Sequence, residues 1–176
     1  VSKRELNTIL RDEAFMKESF FIKNQFQHQK FGDFLIAEHH ICKIANVLHI
    51  YQDGVYSDKQ EDIEAAMIQH IPQLKRMQRQ ETIAYLQLKA EEKYFSSTKY
   101  IPVANGVFNL ETWQLEDFSP NIITRNKIPI PYVPGAYYEV TDKTLDKIAV
   151  NDKKIRMLLE EILGYVLFRR NEFAAM

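Results

Sequence analysis

Residues 47–56 read Val47-Leu48-His49-Ile50-Tyr51-Gln52-Asp53-Gly54-Val55-Tyr56, and they decide the fold class. Two short runs of β-branched and aromatic residues flank an Asp-Gly step, which supplies the positive φ angles that a tight hairpin needs. Helical signals lie on either side. Upstream, Phe31, Phe34, Leu35 and Ala37 form a short helical stripe, leading into a mixed stretch from His39 to Ile44 that continues the helix or turns to strand. Further upstream, Leu6, Ile9, Leu10, Phe15, Phe20 and Phe21 predict one or two short helices over residues 6–23. Downstream, Asp58 and Glu61 have the layout of a capping box, and Ile63, Ala66, Met67 and Ile71 then mark a helix ending before Pro72. Another helix is expected from about Arg79 to Lys93.

The character changes near residue 99. Five prolines between Tyr100 and Pro134 and little helical periodicity predict strand and loop. Residues Asn105 to Leu110 and Trp113 to Leu115 read as a second pair of strands, with Trp113 as a core anchor. Ile128, Ile130 and Tyr132 alternate with Pro129 and Pro131, which lack backbone donors and so confine the segment to a sheet edge or an extended crossover. Asp142 or Thr144 then opens a short helix, and Asn151 caps a longer one. Its Ile155, Leu158, Leu159, Ile162, Leu163, Val166 and Leu167 give the strongest periodic stripe in the chain, so this helix is expected to pack on something large. The fold class is therefore α+β, mainly helical, with two short β-hairpins and a proline-rich extended segment. A helical lobe over residues 1–98, with its hairpin near 47–57, precedes a strand-and-helix part over 99–176.

Composition narrows the function. The 176 residues are 45% hydrophobic and 12% aromatic, enough to bury a core, and the formal net charge is −1, so no global positive field draws the surface onto nucleic acid. The single cysteine, Cys42, excludes an intrachain disulfide framework and suits a reducing compartment, with the cytoplasm expected. No apolar run reaches the roughly 20 residues that span a bilayer, and no membrane partner is expected. The chain opens on Val1 and closes on Phe173-Ala174-Ala175-Met176 directly after a helix, which reads as a fragment.

No catalytic group, metal site or cofactor is expected in the fragment itself. His28, His39, His40, His49 and His70 show no HExxH pattern or compact ligand spacing. Cys42 lies between Ile41 and Ile44, where a thiol acts as a small hydrophobe. Glu91 with Glu92 and Glu160 with Glu161 read as solvated helix faces, and no glycine-rich phosphate cradle is present. What remains is local positive charge. Lys75, Arg76 and Arg79 between two helices, and Arg125 with Lys127 in the proline-rich stretch, are the candidate DNA-binding residues, because phosphate contacts need only local clusters. Lys153, Lys154 and Arg156 begin the last helix; Arg169 and Arg170 end it, where they complement the helix dipole.

Several blocks resemble the phage and plasmid primase-helicase family, which includes the poxvirus primase-helicase. Tyr51, Asp53, Gly54, Val55 and Tyr56 resemble its hairpin. The run from Ile101 to Leu115, followed by Phe118, Ser119, Pro120 and Thr124, resembles its Asn-Gly signature. Tyr132, Pro134 and Ala136 form a further block, and Glu160, Leu163, Gly164, Tyr165, Val166 and Leu167 resemble the helix before the Walker A strand. The resemblance implies the region immediately N-terminal to a superfamily 3 helicase domain, with a primase domain often further upstream. It implies ATP and Mg in the full-length parent, a hexameric homo-oligomeric ring there, and DNA as a partner of the whole protein. It also implies a collar or linker role for this fragment, with Asn105, Gly106, Pro120, Gly164 and Tyr165 as structural motif residues. Asn109 departs from the family's usual Asp. The competing expectation is a self-standing winged-helix-like module that recognises a replication origin.

Overall fold

The computed structural model describes residues 19–167. The expected helices over Leu6 to Phe15 and the cations Arg169 and Arg170 lie outside the described residues. The protein is α+β, with three small antiparallel sheets. The chain divides into two compact units, Val1–Phe95 with Ile123–Arg125, and Ser96–Ile122 with Asn126–Met176.

In the first unit, β1 (Phe21–Ile22) pairs with β2 (Gln25–Phe26), so the end of the expected upstream helix is a strand. Its turn places Lys23 and Asn24 at positive φ. Helix α1 (His28–His39) follows. The mixed stretch turns to strand. Strands β3 (Cys42–Ile44), β4 (Val47–Gln52) and β5 (Val55–Ser57) form one meander, so the expected hairpin gains a third strand. Gln52 pairs with Val55, and Asp53 and Gly54 take φ values of 49° and 86°, the mirror-image turn that matches strand twist.

Strand alternation gives this sheet two buried faces. Leu48 and Ile50 enter a core with Phe31 and Leu35 of α1, Ile63 and Met67 of α2 (Gln60–His70), and Leu86 of α3 (Arg76–Lys89). Phe20, Phe26 and Phe34 close round Phe31 with ring centroids 5.0–6.2 Å apart. Cys42, Ile44 and Tyr56 form the second cluster under Ile123. Both edges of the sheet are covered. The Lys43 N–H donates to Glu91 O at 2.8 Å and Lys93 N–H to Lys43 O at 2.7 Å on one side, while Tyr56 N–H donates to Thr124 O at 2.7 Å on the other. Unpaired edges invite association with other chains, and returning chain blocks them here. Glu91 and Glu92 thus lie beyond α3 on a sheet edge, not on a helix face; Asn46 N–H donates to Glu92 Oε1 at 3.2 Å.

In the second unit, β6 (Tyr100–Val103), β7 (Gly106–Asn109) and β8 (Gln114–Glu116) form a meander, again one strand more than expected. The proline-rich segment runs beside the free edge of β6, where Ile128 N–H donates to Pro102 O at 2.9 Å and Ala104 N–H donates to Ile130 O at 3.1 Å. Two helices complete the unit, α4 (Glu139–Ile148) and α5 (Lys153–Val166). Arg156 joins them, donating to Asp142 and Asp146 of α4 and to Glu160 one turn on at 2.6–2.8 Å. Its charge holds the Asp142 carboxyl below the ordinary carboxylate range, chiefly through the hydrogen bond it donates.

Candidate nucleic-acid interface and motif residues

The motif residues of the second unit are structural parts with identifiable jobs. Asn105, in the turn between β6 and β7, clamps the proline-rich segment: its Nδ2 donates to Tyr132 O at 3.0 Å and its Oδ1 accepts from Tyr132 N–H at 2.8 Å. Gly106 has a φ of 154°, and a Cβ there would sit 2.5 Å from the Glu116 carbonyl oxygen, so the close approach of β8 requires glycine. Pro120 occupies the second position of a turn closed by Ile122 N–H donating to Ser119 O at 3.0 Å, where its fixed φ suits the bend.

Asn109 is buried, and its partners give it a role. Its Oδ1 accepts from Glu111 N–H at 2.9 Å, closing the turn into β8, and its Nδ2 donates to Glu116 Oε1 at 2.6 Å. A carboxylate at this position would face Glu116 with like charge, so the amide fits this neighbour.

Gly164 and Tyr165 lie in the last turn of α5 and line an apolar groove of about 570 Å³, together with Val103, Phe108, Trp113 and Tyr132. A Cβ on Gly164 would meet nothing within 4 Å, so open space, not crowding, surrounds it. Trp113 is not the expected core anchor. It is 73% exposed with a φ of 56°, its backbone N–H donates to Asn109 O at 2.8 Å, and its ring meets Phe108 edge-on at 6.2 Å. The apolar stripe of α5 finds no full cover among the described residues: Ile155, Leu158, Ile162 and Leu163 all stand about half-exposed.

The candidate DNA-binding cations divide between the units. Arg79 is held inside the first, its Nε donating to Glu64 Oε2 at 2.9 Å and Nη1 to Leu74 O at 2.9 Å; hydrogen bonds from Gln60 and Arg79 lower the Glu64 pKa. Arg125 forms an ion pair with Asp58. In the second unit Lys127 lies 5.3 Å from the Phe118 ring centroid, within cation–π reach. Lys75 and Arg76 begin α3 and are exposed. Spacing in the sequence could not show that Glu64 and Asp58, 15 and 67 residues from their partners, would engage two of the five. Cys42 is fully buried, and desolvation pushes its thiol up to about 11, which leaves little nucleophilic thiolate at neutral pH. No helix among the described residues is long and apolar enough to cross a membrane.

Fold and motif together define a small α+β module whose signature residues shape turns and strand contacts. The family model described as D5 N terminal like matches residues 8–164, and the chain belongs to this family, the N-terminal region of phage and plasmid primase-helicase replication proteins. A search of curated proteins returns no match.

Proposed function

We propose that this region is a docking collar for the motor of a replication primase-helicase, supporting ring assembly and DNA engagement through contacts. The observation that carries this reading is the periodic apolar stripe of α5, which continues into the groove at Gly164 and is left without full cover among the described residues. Contiguous apolar surface of this kind is costly in water and marks an interface. ATP and Mg would then belong to the motor of the full-length protein, and its hexameric ring would bury the stripe. The test is Leu158→Ser with Leu163→Ser in the full-length protein, read by native mass and strand-displacement rate. Loss of the ring and of unwinding, with the module's circular dichroism retained, is expected; an intact ring that unwinds at the original rate overturns the proposal.

The exposed pair Lys75 and Arg76 favours a second reading, direct DNA contact by the first unit. Replacing both by Ala in the full-length protein is expected to reduce the slope of log affinity against log salt by about 0.9 for each phosphate of duplex DNA that is no longer neutralised. Unchanged slope and affinity would remove these residues from the DNA path.

A further inference from the structure

The C-terminal ends of α1 and α2 meet at two histidines. His39 Nε2 and His70 Nε2 lie 2.8 Å apart, with ring centroids 5.1 Å apart and planes inclined at 64°. A contact that short between imidazole nitrogens needs one N–H aimed at one lone pair, so one Nε2 carries a hydrogen and the other does not. Two charge states satisfy this. Both rings are neutral, with the acceptor protonated on Nδ1, or a single imidazolium donates to its neutral neighbour. A second proton would set N–H against N–H and cation against cation, and the bond would break.

The surroundings oppose charge. Both rings are half-buried, and Phe34 meets His70 edge-on at a centroid distance of 4.9 Å. Desolvation is the largest influence on each ring and lowers both pKa values from 6.5; His70 and His40 lower His39 further, while Glu38 pulls both upward. The C-terminal dipoles of the two helices favour a cation. Burial, with the His70 ring acting on His39, outweighs them, since both values end lowered. Among the described residues no group of three or more His, Cys, Asp or Glu is placed to hold a metal ion.

We propose that His39 and His70 form a proton-sharing clasp that ties the ends of α1 and α2 together at neutral pH and releases them when both rings are charged. The unfolded chain takes up protons at about 6.5, before the folded pair does. The clasp's contribution to stability is therefore complete above that pH and is lost progressively below it.

Histidine side-chain NMR between pH 8 and 5 tests this on the intact chain. The His70 midpoint is expected below 6.5 and to move upward in His39→Ala, and His39 is expected to move upward in His70→Ala. Midpoints that ignore removal of the other ring overturn the proposal. Should a variant fail to fold, the unaltered chain still decides: coupled rings give curves with two inflections, and two simple one-site curves at the ordinary value overturn the clasp.

Discussion

Asn105 shows how one side chain ties two remote stretches of backbone. Asn105→Ala removes both bonds to Tyr132, and at a net 0.5–1.5 kcal/mol for each such bond the expected loss is about 1–3 kcal/mol, towards the lower end because the site is exposed. Chemical denaturation followed by circular dichroism measures it, and Asn105→Asp, which keeps the acceptor alone, should fall between. Asn109→Asp sets a carboxylate against Glu116. The pair would raise one carboxyl pKa, so the variant should be least stable near neutrality and recover as pH falls through the carboxylate range, the reverse of a paired Asp. Thermal melts at pH 7 and 4.5 distinguish the two signs. Buried Cys42 should resist thiol reagents until the chain unfolds. The Asn-Gly pair was legible as a turn, but Tyr132 is 27 residues away and no local spacing encodes that partner.

At the scale of elements, helix starts were the least legible feature. The sequence placed the α5 cap at Asn151, but Val150 and Asn151 take φ values of 52° and 57° and close the turn after α4, so Asp152 is the first extended residue and accepts from Lys154 and Ile155 N–H. Asp152→Ala should cost about 1 kcal/mol, seen as lost helical signal and faster amide exchange in α5. The expected capping box at Asp58 and Glu61 does not form. Asp58 is drawn to Arg125, Lys59 begins α2 without a side-chain cap, and Asp62 accepts from Ser57 Oγ at 2.5 Å. The helix expected from Arg79 to Lys93 runs from Arg76 to Lys89, with Gln78 Oε1 accepting from Lys75 N–H at its start. Asp53-Gly54 was readable because both residues favour positive φ, but Ala45 takes the same conformation at φ 53° without any such preference, so β3 stayed ambiguous. Gly32 was silent in the sequence for another reason: its value is the room it leaves. A Cβ there would lie 2.5 Å from the Tyr85 ring, so Gly32→Ala must displace that ring and should destabilise the α1–α3 contact by about 1–3 kcal/mol in a denaturant titration.

At the scale of the whole molecule, the α+β class followed from one hairpin, the proline-rich stretch and one amphipathic stripe. The Arg79–Glu64 and Arg125–Asp58 ion pairs and the edge coverings did not, because they join residues far apart in the chain. Arg156 concentrates three carboxylates at the α4–α5 junction. Asp142 is depressed in the fold, so its contribution is present above about pH 3.9 and lost as pH falls through the lower folded value. Amide exchange in α4 should accelerate there, and Arg156→Ala should abolish that acid dependence.

The first unit, moreover, is not one continuous run, since Ile123–Arg125 returns to it after the whole second meander has been spelled out. During synthesis the ribosome must therefore release some 30 further residues beyond Phe95, and a tunnel's length more, before Tyr56 finds Thr124 and Ile123 roofs Cys42. Until then the β5 border stays open to strangers, and a gene cut after residue 95 would express a lobe permanently in that condition.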